Sequence, residues 1–326
     1  MKTKLLGNTN IAVTPVGMGV LTIGPSQLAR SLEEGARVVR YALEQGINLL
    51  DTAEYYRCYH YIKKAFKDLG PSFAQNALPR PVMASKSLAY DYEGMRRAID
   101  ECRSALDLDQ IDIFMMHEVE DAPNFEQRSG AWACLQDAKA KGRIKAVGIS
   151  THFVDVALEA VNTHGVDVLF TLINYQGLGI RKGPGFAAKE EMESAIRAAS
   201  EKSIGVLAMK ALGGGNLLSG YVKALEYASN LPGITSVMIG LGNKKDVDDA
   251  VDFFEGNMPQ DYMPDVSQKR MFVDRSDCAR CGACVRYCTS KAISYDEDGI
   301  AAVDTQKCVR CGYCVLTCPT RALLFL

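Results

Sequence analysis

The sequence CARCGACVRYC at residues 278–288 and the sequence CVRCGYCVLTCP at residues 308–319 repeat one spacing of cysteines. Both runs read C-x-x-C-x-x-C-x-x-x-C, and together they hold eight of the chain's eleven cysteines. Three closely spaced thiolates can hold one face of a cubane iron–sulfur cluster, while the fourth cysteine of the run crosses to a second cluster. The spacing therefore predicts two [4Fe–4S] clusters in the last fifty residues.

The crossing rule assigns three ligands of each cluster to one run and the fourth to the other run. The predicted ligands of the first cluster are Cys278, Cys281, Cys284 and Cys318. The predicted ligands of the second cluster are Cys308, Cys311, Cys314 and Cys288. Such clusters exchange single electrons, so the remainder of the chain has to be interpreted with that chemistry in mind.

Zinc sites and disulfides are the alternatives for eight cysteines. Zinc motifs usually separate their cysteine pairs by a dozen or more residues, whereas here a third cysteine follows each pair directly. Disulfides suit a secreted chain, but residues 1–6 carry two lysines and lack the apolar core of a signal peptide. Reduced thiols instead predict a reducing cytoplasm.

The overall composition is that of an ordinary globular protein. Of the 326 residues 48% are apolar and 23% are charged, and no apolar run is long enough to span a bilayer. The net charge of −2 points neither to nucleic acid nor to an anionic membrane as a partner. From residue 275 onward, however, seven basic residues outnumber five acidic ones, so the cysteine-rich part is positive and the remainder negative.

Short apolar runs alternate with amphipathic segments through the first 258 residues. The predicted strands are 13–18, 47–50, 82–85, 111–116, 145–149, 168–173, 204–208 and 236–239. The predicted helices are 28–44, 59–68, 93–106, 131–140, 154–162, 190–200, 221–230 and 245–254. Eight such alternations predict an α/β fold, a (β/α)8 TIM barrel. A doubly wound sheet is the alternative, but no G-x-G-x-x-G follows the first strand.

The ends of the barrel segment are also marked in the sequence. Residues 2–6 and 11–14, with Gly7-Asn8 between them, predict a hairpin that plugs the barrel floor. At the other end, prolines at positions 259 and 264 break the alternation. We therefore predict the barrel over residues 1–258, a linker over 259–274 and a small α+β domain with the two clusters over 275–326.

Polar side chains follow three successive barrel strands, at the face where TIM barrels carry their active sites. Asp51 and Tyr56 follow the second strand, Lys86 ends the third, and His117 ends the fourth. A carbonyl that receives a hydride needs a proton on its oxygen, and a tyrosine at its usual pKa is a poor donor at neutral pH. We expect Tyr56 to be the acid, Lys86 to lower its pKa, Asp51 to anchor Lys86, and neutral His117 to orient the carbonyl.

These residues resemble the aldo-keto reductase family. The resemblance covers the barrel, through Gly17-Met18-Gly19, the run from Asp51 to Tyr56, Lys86, His117 and residues 142–150. Residues 277–326 resemble a bacterial dicluster ferredoxin over their whole length. The chain as a whole resembles the branch of the family that carries a C-terminal ferredoxin-like domain. A small carbonyl or alcohol substrate and an acidic redox partner, such as a ferredoxin or flavodoxin, are what this resemblance and the positive tail imply.

The resemblance also implies NADP(H) extended across the barrel mouth. Ser150 matches the position that holds the nicotinamide carboxamide, and Thr151 stands where the family usually has asparagine. Leu172 replaces the expected glutamine, and Met209 replaces the aromatic ring that often stacks on the nicotinamide. These replacements predict a weakened grip on the nicotinamide.

Two further segments are candidates for binding the rest of the dinucleotide. Gly213, Gly214 and Gly215 follow the seventh strand and could cradle a pyrophosphate with their backbone amides, or form a flexible loop. Lys244 and Lys245 start the last helix, where cations are disfavoured, and could bind the adenosine 2′-phosphate or be solvated surface lysines.

Three functions are compatible with these patterns. The first is an NADP(H)-dependent, reversible carbonyl reductase whose clusters transfer single electrons. Because nicotinamide gives up electrons in pairs as hydride and each cluster takes one, coupling them needs a flavin or a substrate radical. The second is ferredoxin-linked carbonyl reduction without nicotinamide. The third is a non-catalytic barrel that serves redox sensing or docking.

Overall fold

Eight parallel strands close into a barrel in the computed structural model, which describes residues 1–74, 78, 80–267, 269–308, 313–320 and 322–326. In chain order the first twelve strands are β1 (Lys4–Leu5), β2 (Ala12–Val13), β3 (Val16–Gly19), β4 (Leu49–Asp51), β5 (Val82–Ser87), β6 (Ile111–Met116), β7 (Ile144–Thr151), β8 (Val168–Leu172), β9 (Arg181–Lys182), β10 (Gly185–Phe186), β11 (Gly205–Met209) and β12 (Ile234–Gly240). The barrel consists of β3 to β8 followed by β11 and β12, and β12 pairs with β3 to close it. The predicted TIM barrel is confirmed.

Nine helices among the described residues surround this barrel. They are α1 (Leu32–Glu44), α2 (Tyr59–Ala74), α3 (Tyr92–Leu106), α4 (Ala122–Gln127), α5 (Ser129–Ala140), α6 (Val154–Asn162), α7 (Lys189–Glu201), α8 (Tyr221–Asn230) and α9 (Lys244–Glu255). Apolar side chains of the helices and of the outward-facing strand positions form one continuous core between the two layers. None of the described helices is long and apolar enough to cross a membrane.

The hairpin β1–β2 covers the floor of the barrel. Its strands pair antiparallel, and the side chains of Leu6, Ile11 and Val13 are buried among the inward-facing residues of the barrel strands. The Gly7-Asn8 turn between two short segments predicted this hairpin. The opposite face, where the strands end, is the one left for function.

Local capping explains two differences from the prediction, a later start of α1 and an additional helix, α4. Helix α1 begins at Leu32 instead of residue 28, since Ser31 and Glu34 form a capping box that fixes the first turn. Helix α4 lies inside a segment predicted as loop. It is started by Asp121, whose carboxylate accepts a hydrogen bond from the backbone N–H of Asn124.

The C-terminal domain contains two pairs of short antiparallel strands and two short helices. Its elements are β13 (Met271–Val273), α10 (Ala283–Tyr287), β14 (Ile293–Tyr295), β15 (Ala301–Val303), α11 (Tyr313–Thr317) and β16 (Leu323–Phe325). Strand β13 pairs antiparallel with β16, and β14 pairs antiparallel with β15. Strand β13 falls within the predicted linker, yet its pairing with β16 makes it part of this domain.

Candidate active site

Four polar side chains meet at the ends of β4, β5 and β6. Lys86 Nζ lies 2.5 Å from Asp51 Oδ1 and donates to the carbonyl of Thr52 at 2.8 Å. The Tyr56 hydroxyl lies 3.3 Å from His117 Nε2, and Lys86 Nζ is 5.0 Å from the centre of the Tyr56 ring. Asp51, Lys86 and His117 are each at least 95% buried. The structure thus brings all four predicted residues together.

The electrostatics of these residues differ from the expectation in one respect. Burial, and then the negative charges of Asp51 and Glu118, hold the pKa of Tyr56 well above its ordinary value of 10. The expected lowering of this pKa by Lys86 is outweighed, because the phenolate would lie in a dry site that already contains carboxylates. Tyr56 is therefore a firmly protonated phenol at neutral pH, able to donate only to an oxygen that becomes strongly basic.

His117 and the Asp51–Lys86 pair behave as their burial requires. Burial, and then the charge of Lys86, hold the pKa of His117 well below 6.5, so its imidazole is neutral. Burial also lowers the pKa of Lys86 and raises that of Asp51, but each charge favours the other, and the close contact keeps them paired. Among the described residues, Nδ1 of His117 has no hydrogen-bond partner.

The backbone around His117 is held by a buried arginine. The guanidinium of Arg128 donates to the carbonyls of His117 at 2.8 Å, Ser87 at 3.0 Å and Ala89 at 3.2 Å. Arg128 is only 1% exposed and ties the end of β5 to the end of β6. Sequence reasoning missed it, because a lone arginine at a helix start carries no distinguishing pattern.

A cavity of about 290 Å³ opens between the barrel mouth and the C-terminal domain. Barrel loops supply one wall, including Glu118, His152, Leu172 and Lys210. The other wall comes from the C-terminal domain, including Ser276, Asp277, Cys278, Ala279 and Leu324. A cavity of this size matches a small molecule and lies at the low end of ligand pockets.

Glu118 and Lys210 are two of the five described charged residues in this cavity that sequence reasoning did not single out; the others are Glu120, Arg181 and Asp277. Glu118 and Lys210 each follow a barrel strand and have a positive φ, 50° for Glu118 and 56° for Lys210, which is uncommon for residues other than glycine. Oε1 of Glu118 lies 3.9 Å from His117 Nε2. Lys210 Nζ lies 3.1 Å from Asp277 Oδ2 and joins the barrel to the C-terminal domain.

The charges across this cavity shift each other's protonation. Burial, and then the charge of Asp277, raise the pKa of Glu118 to about 7. Burial, and then Lys210, lower the pKa of His152 to about 3. Burial alone would lower the pKa of Lys210, but Asp277 and the neighbouring carboxylates outweigh it and raise this pKa. At neutral pH the cavity thus holds a charged lysine, a neutral histidine and a carboxyl group close to its midpoint.

The four cysteines predicted for the first cluster surround one small cavity of the C-terminal domain. This second cavity is lined by Cys278, Cys281, Cys284 and Cys318. Burial, and then the proximity of the Cys318 thiolate, raise the pKa of Cys284, so the crossing cysteine lies beside the first run. Four thiols around a common space, all of them free, are a donor set that fits a [4Fe–4S] cluster.

The second set of cysteines is described in part. Cys288, Cys308 and Cys314 pack in the same core as the first set, and the fourth predicted ligand, Cys311, lies outside the described residues. Cys288 Sγ accepts the backbone N–H of Ala292 at 3.2 Å, and Cys318 Sγ accepts that of Ala322 at 3.3 Å. The two crossing cysteines therefore sit in equivalent loops with a hydrogen bond to sulfur, an arrangement that stabilises thiolates and tunes clusters.

The four residues predicted to contact the nicotinamide differ in their burial and in their hydrogen-bond partners. Ser150 is buried at the end of β7, and Met209 is partly buried at the end of β11. The Thr151 hydroxyl donates to the carbonyl of Val119 at 2.7 Å and accepts the N–H of Phe153 at 2.9 Å, so it holds a loop. Leu172 lines the cavity.

The glycine run after β11, Gly213 to Gly215, packs against strand β16 of the C-terminal domain. Gly215 has a φ of +85°, and a Cβ added there would lie 1.8 Å from the carbonyl oxygen of Phe325. A Cβ on Gly214 would lie 2.6 Å from Leu324, while Asn216 donates to the carbonyl of Leu323 at 2.9 Å. In the structure this run seats strand β16 instead of a pyrophosphate, and only Gly213 and Gly214 reach the cavity.

The two lysines at the start of α9 already have partners. Lys244 contacts Asp248 at 2.9 Å and the Tyr41 hydroxyl at 2.7 Å. Lys245 pairs with Asp249 and donates to the Tyr262 hydroxyl at 2.8 Å. With the C-terminal domain in this position, the residues present do not fit a dinucleotide extended across the mouth.

Comparison with known proteins assigns the two parts of the chain to two different families. The model of the Aldo/keto reductase family matches residues 15–224, and that of a 4Fe-4S dicluster domain matches residues 271–325. The second match includes strand β13. The flavin that the sequence analysis allowed is supported by neither match.

Curated relatives match only part of the chain. L-galactose dehydrogenase of Arabidopsis thaliana is 30% identical over 161 residues, which are 47% of this chain and 49% of the plant protein. The 6-dehydroglucose reductase of Novosphingobium aromaticivorans is 31% identical over 170 residues, 48% of this chain and 53% of that protein. The chain thus spans about half the length of the curated relatives it matches.

Solved structures share the barrel. An aldo-keto reductase from Pseudomonas aeruginosa superposes with a TM-score of 0.64 at 22% identity, covering 79% of this chain and 96% of that one. The holo form of an aldo-keto reductase from Bacillus halodurans gives a TM-score of 0.63 at 18% identity, covering 78% and 91%. At these identities the likeness is one of fold.

Proposed function

Because the chain belongs to the aldo/keto reductase family and carries a 4Fe-4S dicluster domain, we propose that it is an oxidoreductase that interconverts a carbonyl group and an alcohol beside Tyr56, with electrons supplied through that domain. One observation carries the proposal. Cys278, a ligand of the predicted first cluster, lines the same cavity as Glu118, whose carboxylate is 3.9 Å from His117.

The barrel residues position the carbonyl and supply a proton to its oxygen. Neutral His117 can donate a hydrogen bond to the carbonyl oxygen from the same side as the Tyr56 hydroxyl, 3.3 Å away. Tyr56 passes its proton to that oxygen as negative charge develops there. Lys86, held in place by Asp51, puts a positive charge 5.0 Å from the phenol ring, and this charge favours the phenolate left behind.

The cysteines of the C-terminal domain would hold the clusters, with Cys278, Cys281, Cys284 and Cys318 around the one nearer the cavity. When bound, such clusters supply electrons one at a time, at potentials that reach down to roughly −700 mV. Adding one electron to an isolated ketone needs a still lower potential. We therefore propose a conjugated carbonyl as the substrate, one whose half-reduced form is delocalised over a ring, a double bond or a second carbonyl.

The proposed redox partner is an acidic one-electron carrier such as a ferredoxin or flavodoxin. The excess of basic over acidic residues from residue 275 onward supports this assignment. Complementary charge would steer such a carrier to the cluster domain and make its association sensitive to salt.

NADP(H) as a direct hydride source is the second candidate. The names of the curated relatives, a dehydrogenase and a reductase, and the burial of Ser150 at the end of β7 favour it. In this case residues 274–279 and strand β16 would have to leave the barrel mouth to admit the dinucleotide. The two candidates differ in where the hydrogen on carbon comes from, and this difference can be measured.

The test uses the full-length holoprotein under anaerobic conditions in D2O. Protein reduced with dithionite and then desalted is mixed with ethyl benzoylformate, cinnamaldehyde or 2,3-butanedione, and the product is examined by NMR and mass spectrometry. We expect alcohol with deuterium on the carbinol carbon, in an amount set by the reduced clusters. No alcohol from the prereduced protein, together with protium transfer from NADPH, would reject the first proposal in favour of the second.

A further inference from the structure

A carbonyl that is reduced by two single electrons needs two protons, whereas one reduced by a hydride needs only one. In hydride transfer the carbon receives its hydrogen together with the electron pair, so one acid at oxygen is enough. When two electrons arrive singly, the C=O π bond is replaced by a C–H and an O–H bond, and both protons must come from the protein. Each of two reduced one-electron centres is oxidised once, and the second acid has to serve the carbon.

Tyr56 can supply only the proton on oxygen. His117 is neutral and Lys86 is bound to Asp51, so neither is a free acid beside the substrate. In the cavity wall, His152 is deprotonated at neutral pH and Lys210 is held by Asp277. Glu118 lines the same cavity and lies beside His117, which places it to give up a proton to the substrate.

We propose that Glu118 delivers the second proton, the one that forms the C–H bond; this rests on the proposed function. Glu118 lines the cavity together with Cys278 of the C-terminal domain. Its distance of 3.9 Å from His117 Nε2 places it next to the carbonyl that His117 would orient.

The backbone around Glu118 fixes the direction of its side chain. Its φ of 50° is an uncommon left-handed conformation for glutamate, and such conformations persist only where neighbouring structure enforces them. The enforcing contacts lie on both sides. The carbonyl of His117 accepts from buried Arg128 at 2.8 Å, and the N–H of Val119 donates to the carbonyl of Ser150 at 3.0 Å.

The surroundings keep this carboxyl group ready to exchange its proton at neutral pH. Burial, and then Asp277, raise its pKa to about 7, while Lys210 acts in the opposite direction. The titratable and charged groups that face it are Asp274, Asp277, Glu120, Lys210, His117, Lys86, Tyr56 and Arg128. A carboxyl group near its midpoint can both protonate a substrate carbon and be reprotonated from solvent.

The test compares Glu118→Gln with the wild type in single turnovers of the prereduced, desalted holoprotein with the same three carbonyl compounds. Glutamine keeps the shape but has no exchangeable acid, so the rate should fall at least about 100-fold. In the wild type the rate should fall as pH rises through about 7, and the variant should lose this inflection. Glu118→Asp should restore part of the rate, and Glu126→Gln, exposed on α4, is the matched control.

A readout without turnover accompanies the kinetics. The infrared difference spectrum of the holoprotein between pH 6 and pH 8 should contain a carboxyl band that is absent in Glu118→Gln. A Glu118→Gln variant that keeps both the rate and the inflection would overturn this inference and leave the proposed function intact. A prereduced wild type that forms no alcohol would overturn both.

Discussion

The two walls of the cavity are built in different ways. On the barrel side, Asp51, Lys86 and His117 each lie at or next to the end of one of three adjacent strands, and all are at least 95% buried. On the cluster side, the loop with Asp277 and Cys278 is held by an ion pair to Lys210 and by strand β16 seated on Gly214 and Gly215. The first wall is fixed by the fold itself, and the second by a few contacts between domains.

In the proposed function this difference separates proton handling from electron delivery. The proposed proton donors follow the ends of barrel strands. Electron delivery would depend on how closely the C-terminal domain sits, since electrons cross only short gaps. Changes in the barrel wall should therefore abolish chemistry without loosening the molecule, and changes in the contacts between domains should weaken both together.

The largest effect is expected from removing the phenol. Tyr56→Phe keeps the ring but has no proton to give, so carbonyl reduction should fall at least about 100-fold. Tyr55→Phe, at an adjacent residue that is 57% exposed, is the matched control and should remain active. Iron and sulfide contents should be unchanged in both. Retained activity in Tyr56→Phe would remove this residue from the mechanism.

Breaking the ion pair between the domains should affect stability and electron delivery. Lys210→Met leaves Asp277 without its partner, which we expect to cost roughly 2 kcal/mol, below the 3–5 kcal/mol of fully buried pairs. The control is Lys141→Met, which removes an exposed pair with Asp137 and should cost under about 1 kcal/mol. Thermal unfolding followed through cluster absorbance measures the difference. Equal losses in the two variants would mean that the pair does not hold the domains together.

A methyl group at Gly215 tests the seat of strand β16. Gly215→Ala and Gly256→Ala both place alanine at a positive φ, +85° and +78°, which costs about 1–2 kcal/mol. Only the first meets an obstacle, the Phe325 carbonyl, whereas Gly256 has nothing within 4 Å. Crowding should add about 1–3 kcal/mol at Gly215 and slow single-turnover reduction. Equal unfolding temperatures for the two variants would mean that the close contact between Gly215 and strand β16 does not stabilise the protein.

The smallest effect is a change in how stability depends on pH. The folded protein raises the pKa of Glu118 from 4.5 to about 7, so it favours the protonated carboxyl group. This contribution is fully present below pH 4.5 and is lost as pH rises through 7. Glu118→Gln should therefore gain stability relative to the wild type between pH 5 and pH 8. Unfolding temperatures at the two pH values measure this, and a constant difference would place the carboxyl group in a different environment.

The barrel was predictable because its signals are local. Alternating apolar runs place the strands to within a few residues, and polar residues at successive strand ends must meet at one face, which led to Tyr56 and His117. Cysteine spacing alone indicated the clusters. Glu118 could have been noticed as an acid directly after a strand-end histidine, but its orientation depends on a backbone conformation that the residue type disfavours.

The relation between the domains could not be read from the sequence. Gly213 to Gly215 suited a phosphate cradle and a close approach of another strand equally well, because both need backbone without Cβ. Likewise Lys210 and Asp277 are 67 residues apart, and nothing in either segment signals that they pair. The prediction that Lys86 lowers the pKa of Tyr56 was wrong for a related reason. Burial and the nearby carboxylates raise this pKa, and both depend on the folded site as a whole.

The hairpin β1–β2 at the barrel floor limits where substrate, protons and electrons can enter. Among the described residues, Leu6, Ile11 and Val13 fill the floor of the barrel. In the proposed function, substrate, protons and electrons would therefore all enter at the face that the C-terminal domain covers. Substrate would then pass the loop with Asp277 and Cys278, which is also the proposed route of the electrons. Substrate binding and reduction would then be successive events at one entrance. A movement of the C-terminal domain, instead of a chemical step, would limit the rate of turnover.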